Sequence, residues 1–254
     1  MPKAVYFISD LHLGATYLSD SLAYERRVVE WLKSIQDDVD HLYLLGDILD
    51  YWYEYRNVVP RGYVRFLGQL ATMSDAGIKI TWFIGNHDIW IFDYLPREIG
   101  VEVVDGSMVT EILGKRFYMA HGDGVGKLSC GFRMMRSIFR NKFCQWLYAS
   151  IHPRWTIPFA HRWSSQSRNY SSERPVFKGP DQEPFVEYAE EYQKTHTQEP
   201  IDYFVFGHQH IMLQYPLSAG GELIVMGDWI HHFSYGRWDG KEFKLECYNS
   251  KMTV

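Results

Sequence analysis

Five short apolar runs each end in a turn carrying aspartate, histidine or asparagine, and this constrains the fold more than any other feature of the chain. Residues 3–9 end in Ser9-Asp10-Leu11-His12, and residues 41–45 in Gly46-Asp47-Ile48-Leu49-Asp50. Residues 78–84 end in Gly85-Asn86-His87-Asp88. Residues 116–120 end in His121-Gly122-Asp123, and residues 203–206 in Gly207-His208-Gln209-His210. Open α/β sheets bind ligands outside the carboxyl ends of their strands, so five strands aimed at one edge predict a site there. Glycine adjoins the polar residue in four of the five turns, which permits close approach of the backbone.

The rest of the pattern agrees with an α/β fold. Helical spacing over residues 20–35 and 61–74 separates the first three runs, which predicts βαβ units and a parallel sheet. Residues 108–113 and 116–120 flank Gly114-Lys115 and read as a hairpin. A further strand is expected at 223–226, and Asp239-Gly240 between residues 233–238 and 242–248 reads as a type I′ hairpin. With 46% hydrophobic and 17% aromatic residues, 254 residues suffice for one large domain with a sizeable core. No apolar run reaches the ~18 residues of a membrane span. The first residues run straight into a strand, with no signal-peptide pattern. Cys130, Cys144 and Cys247 are scattered, which predicts reduced thiols in a cytosolic protein.

The middle of the chain differs in charge. From Lys127 to Lys178 there are ten Lys/Arg against Glu173 alone, about +9, so the remainder must be near −14 to give the net −5. Phe132, Met135, Phe139, Phe143 and Trp146 fall on one stripe of a single expected helix, with Arg133, Arg136 and Arg140 on a second. Two readings stay open. The apolar face packs on the core with arginines in water, or it meets an amphiphile with a phosphate head or a membrane interface. Residues 164–184 read as a loop, the stretch most free to move.

The ligand types narrow the chemistry. Carboxylate, imidazole and amide donors without cysteine suit Mn²⁺, Fe or Zn²⁺ rather than a structural zinc knot. Asp10, His12, Asp47, Asn86, His121, His208 and His210 are seven donors, too many for one open catalytic ion. Two ions sharing one carboxylate would use them all. Ions about 3.5–4 Å apart clamp the attacking and leaving oxygens of a displacement at phosphorus.

These five blocks resemble those of the calcineurin-like metallophosphoesterases, over residues 10–210. The resemblance implies a sandwich of two mixed β-sheets flanked by helices: one domain over 1–254 with a helical, basic lid inserted at 125–200. It implies that Asp10, His12 and His210 with Asp47 hold one divalent ion, and Asn86, His121 and His208 with Asp47 the other. His87 would contact the scissile phosphate and Asp50 would orient it. Length, Ile8-Ser9-Asp10-Leu11-His12-Leu13, Trp52 after Asp50 and the insertion are similar to one branch, the UDP-2,3-diacylglucosamine pyrophosphatases of lipid A biosynthesis. That branch implies a Mn²⁺ hydrolase releasing UMP from an amphiphilic nucleotide-sugar lipid. It also implies a cytoplasmic protein in peripheral contact with the inner membrane, with no nucleic acid and no obligate protein partner.

The chain departs from the branch at His87, where arginine is usual, and at Gly124-Val125-Gly126. Substrate contacts are expected from Asn86, His87, Arg133, Ser164, Ser167 and Arg168. The alternatives are a soluble phosphodiester or nucleotide substrate, a nuclease, or an inactive binding protein of the same fold.

Overall fold

The computed structural model describes residues 3–126, 128–169 and 176–248, apart from the side chains of 163–169. Two mixed sheets form a sandwich. The first has the order β11 (Phe243–Cys247), β10 (Ser234–Trp238), β1 (Ala4–Ile8), β2 (Val39–Leu44), β3 (Lys79–Phe83) and β4 (Glu102–Val104). The second has the order β5 (Ser107–Ile112), β6 (Lys115–Ala120), β7 (Tyr203–Phe206), β9 (Glu222–Met226) and β8 (Met212–Pro216). β1 to β4 run parallel, as do β6, β7 and β9.

β1 shows why such a strand is apolar throughout. Its five residues, AVYFI, are all buried. Alternate side chains point to opposite faces of a strand. Val5 and Phe7 enter the layer between the sheets with Phe117, Met119, Val205 and Ile224. Ala4, Tyr6 and Ile8 meet α1 (Ser21–Ile35) and α2 (Val64–Asp75) on the outer face. Trp238 Nε1 donates to Ile112 O at 3.1 Å and ties the sheets together.

Three expectations change. The single helix through 132–146 is two, α4 (Cys130–Arg140) and α5 (Lys142–Ala149). Asn141 is extended, at φ −73° and ψ 120°, and its Oδ1 caps α5 by accepting from Phe143 N and Cys144 N. The stripe therefore splits. Phe132, Met135 and Phe139 face a cleft, while Phe143 and Trp146 are 64% and 62% exposed. Part of the expected loop at 164–184 is helical, because α6 (Pro153–Asn169) continues to Asn169; residues 170–175 lie outside the described part. The Asp239-Gly240 turn is not type I′. Only Gly240 has positive φ, and the Asp239 carboxylate accepts from Lys241 N and Glu242 N in a longer loop.

α4 and α5 bury no residue. α7 (Pro184–Thr195) packs Phe185, Val186 and Ala189 on the second sheet. Tyr53 Oη donates to Gln145 O at 2.7 Å and Trp90 Nε1 to Phe139 O at 2.9 Å, which fastens α4 and α5 over the rim.

Buried Glu54 holds the rim loop after Asp50. It accepts from the N–H groups of Phe92, Asp93, Tyr94 and Leu95 at the start of α3 (Tyr94–Ile99), and from Trp52 Nε1. Helix N-termini leave such donors unsatisfied unless a side chain accepts them. Glu54→Ala is expected to lower the unfolding free energy by on the order of 3 kcal/mol, read as a lower urea midpoint at unchanged slope.

Candidate metal centre

Both sheets deliver their parallel strand ends to one rim. The join is made by backbone and side chain together. His208 N donates to Asp10 Oδ2 at 2.9 Å, and His121 Nδ1 lies 2.8 Å from Leu45 O. Asp10, His12, Asp47, His208 and His210 all have φ between 45° and 67°. Non-glycine residues rarely adopt this left-handed region, and strain of this kind gathers at functional sites.

Asp47 stands at the centre. Its Oδ1 accepts from His87 N at 2.8 Å. Its Oδ2 lies 3.3 Å from His121 Nε2, 3.8 Å from His12 Nε2 and 3.9 Å from His87 Nε2. Asp10 Oδ1 faces His210 Nε2 at 3.6 Å and His12 Nε2 at 3.8 Å. Donor atoms converge within 4.8 Å of one another in three groups: Asp10-His12-His210, His12-Asp47-His87 and Asp47-His121-His208. Asn86 Oδ1 lies 3.2 Å from His121 Nε2.

The imidazoles are aimed. A carbonyl oxygen only accepts, so His121 Nδ1–H donates to Leu45 O and leaves Nε2 facing Asp47. His87 Nδ1 is likewise 3.1 Å from Asp50 O. His210 Nδ1 is 3.1 Å from Asp228 Oδ2. Asp228 Oδ1 is fixed by the N–H groups of Ile230, His231 and His232. Tying off one ring nitrogen in this way orients the other toward a cation.

Glycine is required at two of these turns. A Cβ on Gly85 would overlap Asp47 Oδ1 and its backbone N. One on Gly207 would overlap Ser9 Oγ and come within 2.6 Å of Asp10 Oδ2.

Electrostatics follow from crowding. Burial favours neutral carboxyls, yet the imidazoles of His121, His87 and His12 hold Asp47 well below the usual carboxylate range. Burial opposes charge on His121, but Asp47 beside it pushes its pKa up to about 10. Asp88, buried and next to Asp47, is pushed up to about 6.

Asp88 and Asp228 were not assigned roles from the sequence. Asp88 accepts from Asp47 N, Ile48 N, Gly85 N and Trp82 Nε1, stitching two ligand-bearing turns. Asp228 had a visible signal, because Gly227-Asp228 follows β9 just as the other turns follow their strands. Asp50 lies against both His12 and His87: its Oδ1 is 3.4 Å from His12 Nδ1 and 3.6 Å from His87 Nδ1, and its backbone oxygen is 3.1 Å from His87 Nδ1. Arg133 sits on the same helix as Arg136. Arg133 is exposed and sits beside Cys130 Sγ, whereas Arg136 and Arg140 of that helix line the cleft. The side chains of Ser164, Ser167 and Arg168 lie outside the described residues.

The cleft, about 610 Å³, opens directly on this centre. Asp50, Asn86, His87 and His208 form its polar end, and Trp90, Phe132, Met135, Phe139 and Phe159 line its walls.

Residues 3–212 match the calcineurin-like phosphoesterase family. The chain belongs to this family. This calcineurin-like phosphoesterase is therefore a metal-dependent hydrolase, on an α/β sandwich of the expected kind. A UDP-2,3-diacylglucosamine hydrolase from Porphyromonas gingivalis is 37% identical over 97% of this chain and 98% of its own length. Proteins of the same description from Shewanella baltica and Nitrosococcus oceani are 26% and 24% identical, over 88% and 89% of this chain and 88% and 87% of theirs.

The fold implies divalent ions, and the rim fits them. Asp10 Oδ1 is buried with no hydrogen-bond partner, and an acceptor in that state costs free energy unless a cation meets it. Nitrogen and oxygen donors with no thiolate suit a hydrolytic ion. Among the described residues, no helix is long and apolar enough to cross a membrane.

Proposed function

We propose that this phosphoesterase hydrolyses the pyrophosphate bond of UDP-2,3-diacylglucosamine, giving UMP and a lipid sugar 1-phosphate. The observation that carries the reading is the apolar cleft opening on the metal centre: one end suits a phosphate, the walls suit acyl chains. The names of the relatives above support the same substrate. Each buried CH₂ contributes roughly 0.8 kcal/mol, so acyl chains in such a cleft would dominate affinity.

Asp10, His12, His210 and Asp47 would hold one ion, and Asn86, His121, His208 and Asp47 the other; Mn²⁺ is the ion proposed. Bound there, the pair lowers the pKa of a water toward neutrality and offsets charge on phosphoryl oxygens. The protein's own residues do the rest. Asp228 and Leu45 O keep His210 and His121 aimed inward. His87, held at Nδ1 by Asp50 O, presents Nε2 to the polar end of the cleft, where it would donate to a phosphate oxygen in its protonated form. Asp50 faces both His12 and His87. The aromatic walls exclude water from the attacked phosphate.

The test is product analysis. Protein with Mn²⁺ and UDP-2,3-diacylglucosamine is expected to release UMP by mass spectrometry; its absence overturns the substrate reading. Phe139→Ser is expected to raise KM for the lipid substrate at least tenfold in detergent, with little change in kcat. A fall in melting temperature with KM intact would instead favour a soluble substrate.

Peripheral contact with the cytoplasmic face of the inner membrane belongs to the same reading. Exposed Met134, Phe143, Trp146 and Trp155, with basic Lys142 and Arg154 beside them, suit an acidic lipid surface. Trp146→Ser is expected to weaken sedimentation with phosphatidylglycerol vesicles while sparing KM in detergent.

A further inference from the structure

We propose that Arg136, with Asp123 and Gly124, forms a subsite for the phosphate of the leaving group. The proposal rests on the diphosphate reading above. The three arginines of α4 have different surroundings. Arg133 is exposed, and Arg140 is held by Asp105, with Nη2 at 2.7 Å from Oδ1. Arg136 and Arg140 both line the cleft, but Arg140 is hydrogen-bonded to Asp105, whereas Arg136 has only the looser ion-pair contact with Asp123. The Arg136 side chain is 26% exposed, and it lines the cleft together with Asn86, His87 and His208 and with Phe132, Met135 and Phe139.

Its surroundings are built for a third party. Asp123 Oδ2 lies 3.3 Å from Arg136 Nε, yet neither atom makes a hydrogen bond and both are buried. A buried ion pair repays its desolvation only when its remaining donors and acceptors are also satisfied. An oxyanion in the cleft would satisfy the guanidinium while Asp123 keeps it in place, since guanidinium forks match phosphate in bidentate fashion. Asp123 is two residues beyond His121, and the adjacent Gly122 lies against His208, so the subsite adjoins the metal centre. The guanidinium tip occupies space left open by glycine at residue 124. A Cβ there would overlap Nη1 and come within 2.9 Å of Cζ and Nη2.

The position suits the leaving half of a diphosphate. In the reaction the water oxygen bonds to the attacked phosphorus, and the bond from that phosphorus to the bridging oxygen breaks. The electron pair stays on the bridging oxygen, which departs as part of a phosphate monoester, and the proton of the water passes to solvent. The leaving phosphate gains one negative charge in that step. Arg136 shares one cleft with residues of the metal centre and with the apolar wall residues, so this phosphate would come within its reach if the acyl chains occupy the cleft.

The experiment uses the full chain loaded with Mn²⁺ and two substrates. UDP-2,3-diacylglucosamine has a phosphate in its leaving group; bis(p-nitrophenyl) phosphate has none. Arg136→Met is expected to lower kcat/KM for the first at least about tenfold more than for the second, the scale of one charge-assisted hydrogen bond. Arg136→Lys should recover part of that difference. Gly124→Ala, which displaces the guanidinium tip, should reproduce it in the same direction. Arg65→Met, on the exposed face of α2, reports the loss of one positive charge at a distance. Equal losses on both substrates, or none, overturn the proposal. A second measurement separates it from the substrate reading. Dodecyl phosphate should inhibit hydrolysis of the diester, with a Ki at least tenfold higher in Arg136→Met; an unchanged Ki overturns the subsite. If no UMP is released but this Ki still depends on Arg136, the subsite stands and the lipid substrate falls.

Discussion

Asp47→Ala is expected to lose both cations and nearly all turnover. Asp47 Oδ2 lies within 3.9 Å of the Nε2 atoms of His12, His87 and His121, so one oxygen faces both halves of the site. Its other oxygen accepts from His87 N and fixes the turn that carries Asn86. No neighbouring carboxylate substitutes for it: Asp10 belongs to the other side, and Asp88 is committed to backbone N–H groups of both turns. Removing a single transition-state donor costs about 10²–10³ in rate. Losing the shared carboxylate should therefore cost more than about a thousandfold in kcat. Metal content after gel filtration in Mn²⁺ should fall from two ions per chain toward zero. A near-normal rate with both ions retained would refute the assignment of Asp47.

Gly85→Ala is expected to damage the same centre without removing any ligand. The added Cβ would meet the Asp47 backbone N as well as Oδ1, and backbone in a buried turn cannot swing aside as a side-chain tip can. Overpacking of this sort costs roughly 1–3 kcal/mol in stability. The larger effect should be on function, because the displaced atom is the carboxylate itself. Loss of cation binding and of turnover on a generic phosphodiester are the readouts. Gly68→Ala is the control. It lies inside α2 with nothing within 4 Å of the new Cβ, and Gly-to-Ala there should stabilise by about 0.5–1 kcal/mol. Equal metal affinity in Gly85→Ala and wild type would mean that the turn is looser than its geometry implies.

Much of the rim was legible in the sequence because it depends on local, one-dimensional signals. A strand buried on both faces reads as an unbroken apolar run, as β1 does, and the chain must turn sharply where it stops. Glycine beside Asp, His or Asn at such a stop marks backbone that has to come close. Asp10, His12, Asp47, Asn86, His121, His208 and His210 were found that way, and the structure brings them together. Asp228 carried the same mark after β9 but has one partner in the rim, His210, and its role depends on a contact across the fold. Asp88 was quoted within its turn, yet its task, accepting from two turns at once, is visible only in three dimensions.

The lid was less legible. Helical spacing located Arg133, Arg136 and Arg140 on one broad stripe, but each residue turns about 100° around a helix, so Arg133 and Arg136 differ by about 60°. That angle decides between solvent and cleft, and which face meets the cleft is set by how Trp90 and Tyr53 dock the helices. The break at Asn141 was hidden for a related reason. Apolar spacing continues across it, while the bonds that Asn141 Oδ1 accepts from Phe143 N and Cys144 N to start the next helix leave no trace in periodicity.

The most direct test of the two-ion account is anomalous diffraction from crystals grown with Mn²⁺. Two manganese peaks about 3.5–4 Å apart on either side of the Asp47 carboxylate, one against Asp10, His12 and His210 and the other against Asn86, His121 and His208, are the expected result. A single peak, or none at saturating Mn²⁺, would contradict it.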